Sequence, residues 1–226
     1  MNTKILESIT KSPLRHSLYH FTRARNLPAI AGLDGLYASA RLDPDYAQGI
    51  RRETLHQTQV QGRDVWMNAH LRIVPEAMAP GTTPEEFRAC LDRHIFLWPT
   101  VRDCLAMYNM YSRREPGETF AVLKFSAYDL LQDNFGRIRL SKYDSGSSPR
   151  FPHRMSYRKS CEMLLPLRQF MLAAGPAVPC KPSKIKEVLV EDQLTPVSRY
   201  LQTVYCSDPG QVPDVWKPLV KQTFPE

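Results

Sequence analysis

The stretch Leu18-Tyr19-His20-Phe21-Thr22 decides how this 226-residue sequence is interpreted. Its aromatic and apolar residues predict a short buried strand with His20 and Thr22 at its end. The following Asn26-Leu27-Pro28-Ala29-Ile30 predicts a helix, and Gly35 marks where that helix stops. The pattern therefore places two hydrogen-bonding side chains at the end of a buried strand, where a cleft can use them.

Length and composition predict one globular domain that spans residues 1–226. Hydrophobic residues make up 42% and charged residues 23% of the chain, which is ordinary for a folded protein. No apolar run approaches the roughly 18 residues needed to cross a bilayer, so no membrane association is expected. The N-terminus lacks the apolar core and cleavage site of a signal peptide, and we expect a cytoplasmic protein.

The five cysteines are scattered along the chain and contain no C-x-x-C pair. This spacing argues against a zinc site and against a disulfide framework. We therefore expect isolated buried thiols.

The formal net charge is +7 and the sequence pI is about 9.2, which favours a polyanionic partner or a phosphate-bearing cofactor. Much of the excess lies between Arg137 and Lys159, where Tyr143, Phe151 and Tyr157 interrupt the basic residues. Basic residues interleaved with rings suit a flexible single strand, because charges follow phosphates and rings stack on bases. The alternative is a solvated loop whose rings pack back onto the protein.

The remaining pattern predicts an α+β protein without internal repeats. Helices are expected at Met1–Lys11, Ala24–Leu33, Gly49–Leu55, Thr83–Asp92 and Val101–Tyr111. Strands are expected at Tyr19–Phe21, Asp64–Asn68, Ile95–Trp98, Phe120–Phe125, Arg137–Leu140, Glu162–Leu165 and Glu187–Val190.

Familiar catalytic motifs are absent from the sequence. It contains no G-x-x-x-x-G-K-[ST], no G-x-G-x-x-G and no G-x-S-x-G, which argues against common nucleotidases, dehydrogenases and α/β hydrolases. His56 and His70 have no partners that would make a convincing metal pair, and His94 and His153 are expected at the surface. A hydrolytic metalloenzyme is disfavoured, and no metal site is predicted.

Polar and aromatic groups at strand ends remain as candidates, in the order His20, Trp98 and Glu187. This order is similar to the three-part signature of ADP-ribosyltransferases. The segment from Tyr19 to Leu36 resembles the opening of DarT-like toxins, which modify DNA bases, and 186–190 resembles their glutamate strand. Residues 66–108 depart from DarT and look more like a poorly characterised relative of the same fold.

This resemblance implies an ADP-ribosyltransferase-like split antiparallel sheet flanked by short helices. It also implies that NAD is a substrate and that ADP-ribose passes to a macromolecule, with nucleic acid favoured by the net charge. The expected nucleic-acid partner is single-stranded DNA or RNA, and an antitoxin or a reversing hydrolase is expected to accompany a toxin of this kind.

The same resemblance suggests roles for individual residues. Catalysis is expected from Glu187, which would stabilise an oxocarbenium-like ribose, and from Arg51. NAD binding is expected from His20, Thr22, Trp98 and Tyr108, with Tyr111 as a further aromatic candidate. Nucleic-acid binding is expected from Arg52, Arg150, Arg154 and Arg158. The sequence does not distinguish Arg51 from Arg52 as a pyrophosphate ligand, since either guanidinium can form the required hydrogen bonds.

Each assignment has a structural alternative. His20 and Trp98 are also typical of buried structural residues, and Glu162 is a rival to Glu187 because it too precedes an apolar strand. Two other functions remain open. One is NAD-dependent RNA 2′-phosphotransfer, for which only Arg23 and Arg25 supply basic residues near the first histidine. The other is a catalytically silent domain that binds nucleic acid or a nucleotide.

Overall fold

The α+β class expected from the sequence is confirmed by a computed structural model that describes residues 2–147 and 156–224. The α-helices are α1 (Asn2–Thr10), α2 (Leu27–Leu33), α3 (Ser39–Leu42), α4 (Pro84–Asp92), α5 (Val101–Arg114) and α6 (Ala127–Asp133). The strands are β1 (Ser17–Arg23), β2 (Leu36–Tyr37), β3 (His56–Val60), β4 (Arg63–Met67), β5 (His94–Leu97), β6 (Phe120–Ser126), β7 (Ile138–Ser141), β8 (Leu165–Pro166), β9 (Glu187–Glu191), β10 (Gln193–Leu194), β11 (Leu201–Cys206) and β12 (Val220–Lys221).

Two four-stranded sheets organise the protein. The first has the strand order β1-β6-β11-β12 and is antiparallel except for its last pair. The second has the order β5-β9-β7-β8 and is antiparallel throughout. Two-stranded pairs, β2 with β10 and β3 with β4, complete the described strands. The split antiparallel arrangement with short flanking helices matches the expectation.

The two sheets meet at one backbone pair. Tyr19 of β1 and Trp98, just beyond β5, exchange N–H···O hydrogen bonds of 2.9 and 2.8 Å. Leu97 of β5 pairs with Val188 of β9, so Trp98 lies in register with the residue that precedes Val188. That residue is Glu187. The topology thus brings the end of β5 and the start of β9 next to the interior of β1, although the three strands are far apart in sequence.

Apolar packing fixes this junction. Strand β6 is rich in β-branched and aromatic residues and is almost completely buried, which is typical of a central strand. A separate aromatic cluster around Phe21, Trp98, Tyr111 and Phe120 lies against the junction. Close packing of this kind restricts side-chain rotamers, so groups mounted on β1 and β5 are held in defined positions.

Local signals in the sequence explain α4 well. Thr83 accepts a hydrogen bond from the Glu86 amide at 3.1 Å, and the Glu86 carboxylate accepts one from the Thr83 amide at 2.8 Å. This reciprocal capping box satisfies two amides that the first turn leaves unpaired. The helix predicted at Thr83–Asp92 is present.

Several other predictions are wrong. Residues Gly49–Leu55 form no helix, because Gly49 adopts a φ of 80° and ends a 3-10 helix over Pro44–Gln48. The expected strand Glu162–Leu165 is instead largely a 3-10 turn, followed by the two-residue β8. Strand β11 was not predicted.

Two expectations about single residue types also fail. His94 is 9% exposed, because β5 is covered on its faces, whereas His153 lies outside the described residues. Cys90 and Cys161 form a disulfide with their Cα atoms 6.2 Å apart. Cys104 and Cys206 are buried thiols, as expected, but Cys180 is exposed. Sequence spacing does not reveal the disulfide, since its two cysteines meet only through the tertiary fold.

Candidate active site

A cavity of about 280 Å³ lies beside the junction of the two sheets. It is lined by parts of β1, α2, β4 and β5, and by segments that follow β4. Six of the site residues predicted from the sequence line it: His20, Thr22, Arg52, Trp98, Tyr111 and Glu187. The fold therefore gathers residues that span 168 positions of sequence around one space.

Glu187 is the first residue of β9 and is only 2% exposed. One oxygen, Oε2, accepts hydrogen bonds from the Ser145 amide at 3.1 Å and from the Ser145 hydroxyl at 2.6 Å. Burial first, and then the nearby Asp144 carboxylate, raise the pKa of Glu187 to about 8. The carboxyl group is therefore mostly neutral at pH 7, and positive charge in the cavity favours its ionised form.

His20 is a neutral hydrogen-bond acceptor on the cavity wall, and it lies in the middle of β1 rather than at the strand end that the sequence predicts. Its Nδ1 lies 2.9 Å from the carbonyl oxygen of Phe96 in β5. Burial lowers the pKa of His20 to about 4, so the ring is neutral at pH 7. Because a carbonyl oxygen only accepts, Nδ1 carries the proton and Nε2 keeps its lone pair. Such a nitrogen can accept a hydrogen bond from a hydroxyl group of a ligand.

Arg52 is a buried guanidinium, 7% exposed, on the cavity wall. Its Nε donates to the Asn68 carbonyl at 2.6 Å, and its Nη2 lies 3.3 Å from Asp92 Oδ1. The guanidinium carbon lies 4.3 Å from the centre of the Tyr46 ring. Among the described residues, Nη1 has no hydrogen-bond partner. An anion in the cavity would give this nitrogen the acceptor that it lacks.

His70 has both ring nitrogens engaged next to Arg52. Its Nδ1 accepts a hydrogen bond from the Arg52 amide at 2.8 Å, which places the proton on Nε2. Nε2–H then donates to Oδ1 of the Asp92 carboxylate, with 3.0 Å between the two atoms. Since neither nitrogen is available to a substrate, the His70–Asp92 pair is suited to holding Arg52 rather than to acid–base catalysis.

Thr22 connects β1 to the hairpin formed by β3 and β4. Its hydroxyl oxygen accepts a hydrogen bond from Asn26 Nδ2 at 3.2 Å. The same Asn26 amide pairs with the backbone of Trp66 in β4, through its Nδ2 at 2.9 Å and its Oδ1 at 2.8 Å. The polar end of β1 thus fixes one wall of the cavity.

The aromatic candidates occupy different positions. Trp98 is 8% exposed and lines the cavity, as does Tyr111, which stacks against Phe21 at a centroid distance of 5.1 Å. Tyr108 lies one helical turn away and packs among Phe21 and other rings outside the cavity lining. Of the two tyrosines, Tyr111 is the one placed to contact a ligand.

Other predicted residues lie away from the cavity. Arg51 is exposed and forms a 3.2 Å ion pair with Glu53, because adjacent residues of an extended segment point in opposite directions. The rival carboxylate Glu162 is also exposed and does not line the cavity. Arg158 is exposed at the edge of the basic segment. Arg150 and Arg154 fall outside the described residues.

The sequence interpretation missed several groups that shape the site. They are Asp92, His70, Asp144, Ser145 and Lys159. Asp92 ends a clearly capped helix, and that position could have drawn attention to a buried acid. No local pattern marks Ser145, and Lys159, which the sequence places in the basic segment, is buried instead of available to a nucleic acid. The importance of both residues arises from tertiary contacts, since Ser145 contacts Glu187 and Lys159 contacts Ser145.

This geometry can bind an extended ligand that carries hydroxyl groups, an anionic centre and a ring. His20 Nε2 offers an acceptor, Arg52 offers a cationic donor, and Trp98 and Tyr111 offer aromatic surface. Glu187 offers a carboxyl group that ionises when positive charge develops nearby. Among the described residues, no group of three or more His, Cys, Asp or Glu side chains is arranged to hold a metal ion.

Comparison with solved structures finds DarT from Thermus sp. 2.9 in three complexes. The complex with carba-NAD+ is 16% identical, with a TM-score of 0.43 over 88% of this chain and 86% of that chain. The complex with NAD+ is 14% identical, with a TM-score of 0.41 over 88% and 85%. The complex with ADP-ribosylated ssDNA is 17% identical, with a TM-score of 0.39 over 86% and 82%. Because these values are low, we assign neither ligand nor activity from them.

Two further findings concern the chain as a whole. No helix among the described residues is long and apolar enough to cross a membrane. No curated protein matches the sequence. A family model does match, over residues 16–201, which include the cavity-lining residues from His20 to Glu187. The chain belongs to this family of unknown function, DUF7002.

Proposed function

We propose that this protein transfers ADP-ribose from NAD to a nucleic-acid base. The observation that carries the proposal is the placement of His20, Trp98 and Glu187 around one cavity at the junction of the two sheets. Arg52 adds to the same cavity a buried donor nitrogen, Nη1, that has no partner among residues 2–147 and 156–224. These groups supply what a dinucleotide with ribose hydroxyls, a pyrophosphate and an aromatic cation requires.

Each part of NAD has a complementary residue in this proposal. His20 Nε2 accepts a hydrogen bond from a hydroxyl of the adenosine-side ribose, and Thr22 supports the strand that carries it. Arg52 Nη1 donates to the pyrophosphate, a role that the sequence left open between Arg51 and Arg52. Trp98 and Tyr111 provide surface for the nicotinamide ring.

The proposed reaction breaks the bond between the ribose anomeric carbon and the nicotinamide nitrogen. Neutral nicotinamide leaves with the bonding electrons, and the ribose acquires oxocarbenium character. The Glu187 carboxylate stabilises this charge, and a nitrogen of the acceptor base attacks the same carbon and then loses its proton. The products are ADP-ribosylated base, nicotinamide and one proton.

The net charge supports a nucleic-acid acceptor. The formal charge of +7 favours polyanions, and Arg158 is exposed at the edge of the basic segment. A single-stranded base reaches a cavity more readily than a paired one, because no stacking or pairing must first be broken. Arg150 and Arg154 remain predictions of the sequence.

A nucleotide-binding domain without catalysis is the second candidate. The raised pKa of Glu187, about 8, favours it, because a neutral carboxyl group stabilises positive charge poorly. RNA 2′-phosphotransfer has less support. Arg23 pairs with Glu115 and Glu118, and Arg25 pairs with Glu118, so both arginines near His20 are already neutralised.

The test is a mass measurement on mixed single-stranded oligonucleotides incubated with NAD. The native protein is expected to add the mass of ADP-ribose to the oligonucleotide and to release nicotinamide in equal amount. Glu187→Gln should abolish both, whereas Glu162→Gln should retain both, since Glu162 is exposed and outside the cavity lining. Salt-sensitive oligonucleotide binding with intact NAD would instead establish the silent domain.

A further inference from the structure

Lys159 is a lysine without any exposed surface, close behind the cavity wall. Its backbone is fixed by hydrogen bonds with Ala77 at 2.8 Å and Ala79 at 2.9 Å. Its Nζ donates to the carbonyl oxygens of Asp144 and Ser145, both at 2.8 Å. Burying a charged amine is costly, so a lysine at this position needs such acceptors to compensate for lost water.

The turn held by Lys159 is the turn that holds Glu187. Ser145 is fully buried, and its amide and hydroxyl both donate to Glu187 Oε2. A continuous path of hydrogen bonds therefore runs from the Lys159 amine through the Ser145 backbone to the Glu187 carboxyl group. The path connects Lys159 to Glu187, the first residue of β9.

Two charged groups act on Glu187 from the elements around it, since Asp144 raises the pKa of Glu187 and Lys159 lowers it. The nearby Tyr157 has its own pKa raised to about 12, first by burial and then by Asp144, Tyr143 and Glu187. Burial lowers the pKa of Lys159 to about 8, so the amine is still mostly charged at pH 7. Lys159 is therefore the favourable charge that opposes Asp144 near Glu187.

We propose that Lys159 is a positioning residue for Glu187. It fixes the Asp144–Ser145 turn, so that Ser145 orients the carboxyl group, and its charge favours the carboxylate form. This inference rests on the proposed function, because the reaction requires that carboxylate. Lys159 contacts neither the cavity nor a substrate directly, and its effect passes through Ser145 and through charge.

Lys159→Met tests the inference, with Lys142→Met as a matched control. The Lys142 amine lies 5.3 Å from the centre of the Tyr143 ring and donates to the Pro176 carbonyl at 2.7 Å instead of to the turn. At pH 7, Lys159→Met should lower kcat about tenfold, as expected if the pKa of Glu187 rises by about one unit. The KM for NAD should stay within about twofold, because Arg52 and His20 are unchanged. Lys142→Met should keep the native KM for NAD and the native pH profile of nicotinamide release.

A second readout separates positioning from a purely structural role. In Lys159→Met, the pH profile of nicotinamide release should move to higher pH, and activity should recover at high pH. Ser145→Ala should produce a similar shift, and the double variant should lose less than the product of the two single losses. A lower melting temperature with an unmoved pH profile, or strictly multiplicative losses, would overturn the proposal.

Direct titration makes the result independent of catalysis. The pKa of Glu187 can be followed by carbon-13 NMR of glutamate-labelled protein, with Glu187→Gln identifying the resonance. It should rise in Lys159→Met and remain native in Lys142→Met. If this rise occurs while the native protein releases no nicotinamide, the proposed function fails and the Lys159–Glu187 coupling survives. An unchanged Glu187 pKa contradicts the coupling, whatever the activity.

Discussion

Two clusters of polar residues adjoin the cavity, and they differ in the partners that they give to a buried charge. The Arg52 cluster, made of Arg52, His70 and Asp92, pairs a buried cation with a buried anion. The Glu187 cluster, made of Glu187, Ser145 and Lys159, gives the carboxyl group only neutral hydrogen-bond donors. A buried guanidinium can hold an anion, whereas a buried carboxyl group with a raised pKa changes its charge when positive charge develops nearby. We therefore expect the Arg52 cluster to determine binding and the Glu187 cluster to determine rate.

Glu187→Gln should have the largest effect of the variants that separate the two clusters. The amide keeps an oxygen acceptor for Ser145 but cannot become negative, so nicotinamide release should fall by about 100- to 1000-fold. Affinity for NAD should change by less than about threefold, since the Arg52 cluster is intact. Nicotinamide chromatography gives the rate, and calorimetric titration with NAD gives the affinity. A comparable loss of affinity for NAD would mean that both clusters contribute to NAD binding.

Arg52→Gln should produce the reverse pattern. Loss of a charge-assisted donor to the pyrophosphate should raise the KM for NAD roughly ten- to 100-fold and leave kcat nearly native. Steady-state kinetics with varied NAD measures both constants. Arg51→Gln is the matched control and should match the native protein, because Arg51 is exposed and paired with Glu53.

Arg52→Gln also leaves Asp92 with fewer partners, which can destabilise the fold. The double variant Arg52→Gln/Asp92→Asn removes that unpaired charge and serves as the folded reference. If it melts like the native protein yet shows a native KM for NAD, then Arg52 has no part in binding.

The pH dependence of kcat/KM tests whether ionisation of Glu187 controls the activity. With the pKa of Glu187 at about 8, activity should rise roughly tenfold between pH 6 and pH 7 and level off above pH 8. His20, with its pKa lowered to about 4, stays neutral across this range and adds no second step. Nicotinamide release measured from pH 6 to 9 tests this. A profile that falls with rising pH would point to a protonated catalytic group instead.

Sequence reasoning succeeded where the signal is local. The strand that carries His20, the capped helix α4 and the strand that begins at Glu187 follow from patterns a few residues long. The late carboxylate and the early histidine are proposed as partners because their order resembles the signature of ADP-ribosyltransferases.

It failed where the answer depends on tertiary contacts. Nothing local distinguishes Arg51 from Arg52, yet one is exposed and the other is buried on the cavity wall. No sequence motif predicts the contacts of Ser145 with Glu187 and with Lys159, because the turn that contains Ser145 makes them only in the folded protein. The disulfide between Cys90 and Cys161 joins residues 71 positions apart. Such groups become visible only after folding brings distant segments together.

The smallest predicted effect concerns stability and tests the Glu187 cluster without any substrate. The pKa of Glu187 is about 8 when folded and 4.5 in its ordinary state. Stability from the neutral buried carboxyl group is therefore fully present below about pH 4.5 and is lost as the pH rises to about 8. Glu187→Gln cannot ionise, so it should melt close to the native protein at pH 5 and several degrees higher above pH 8. Glu162→Gln should show no such divergence. Equal melting temperatures for Glu187→Gln and the native protein at pH 9 would mean that Glu187 ionises as easily in the fold as in water.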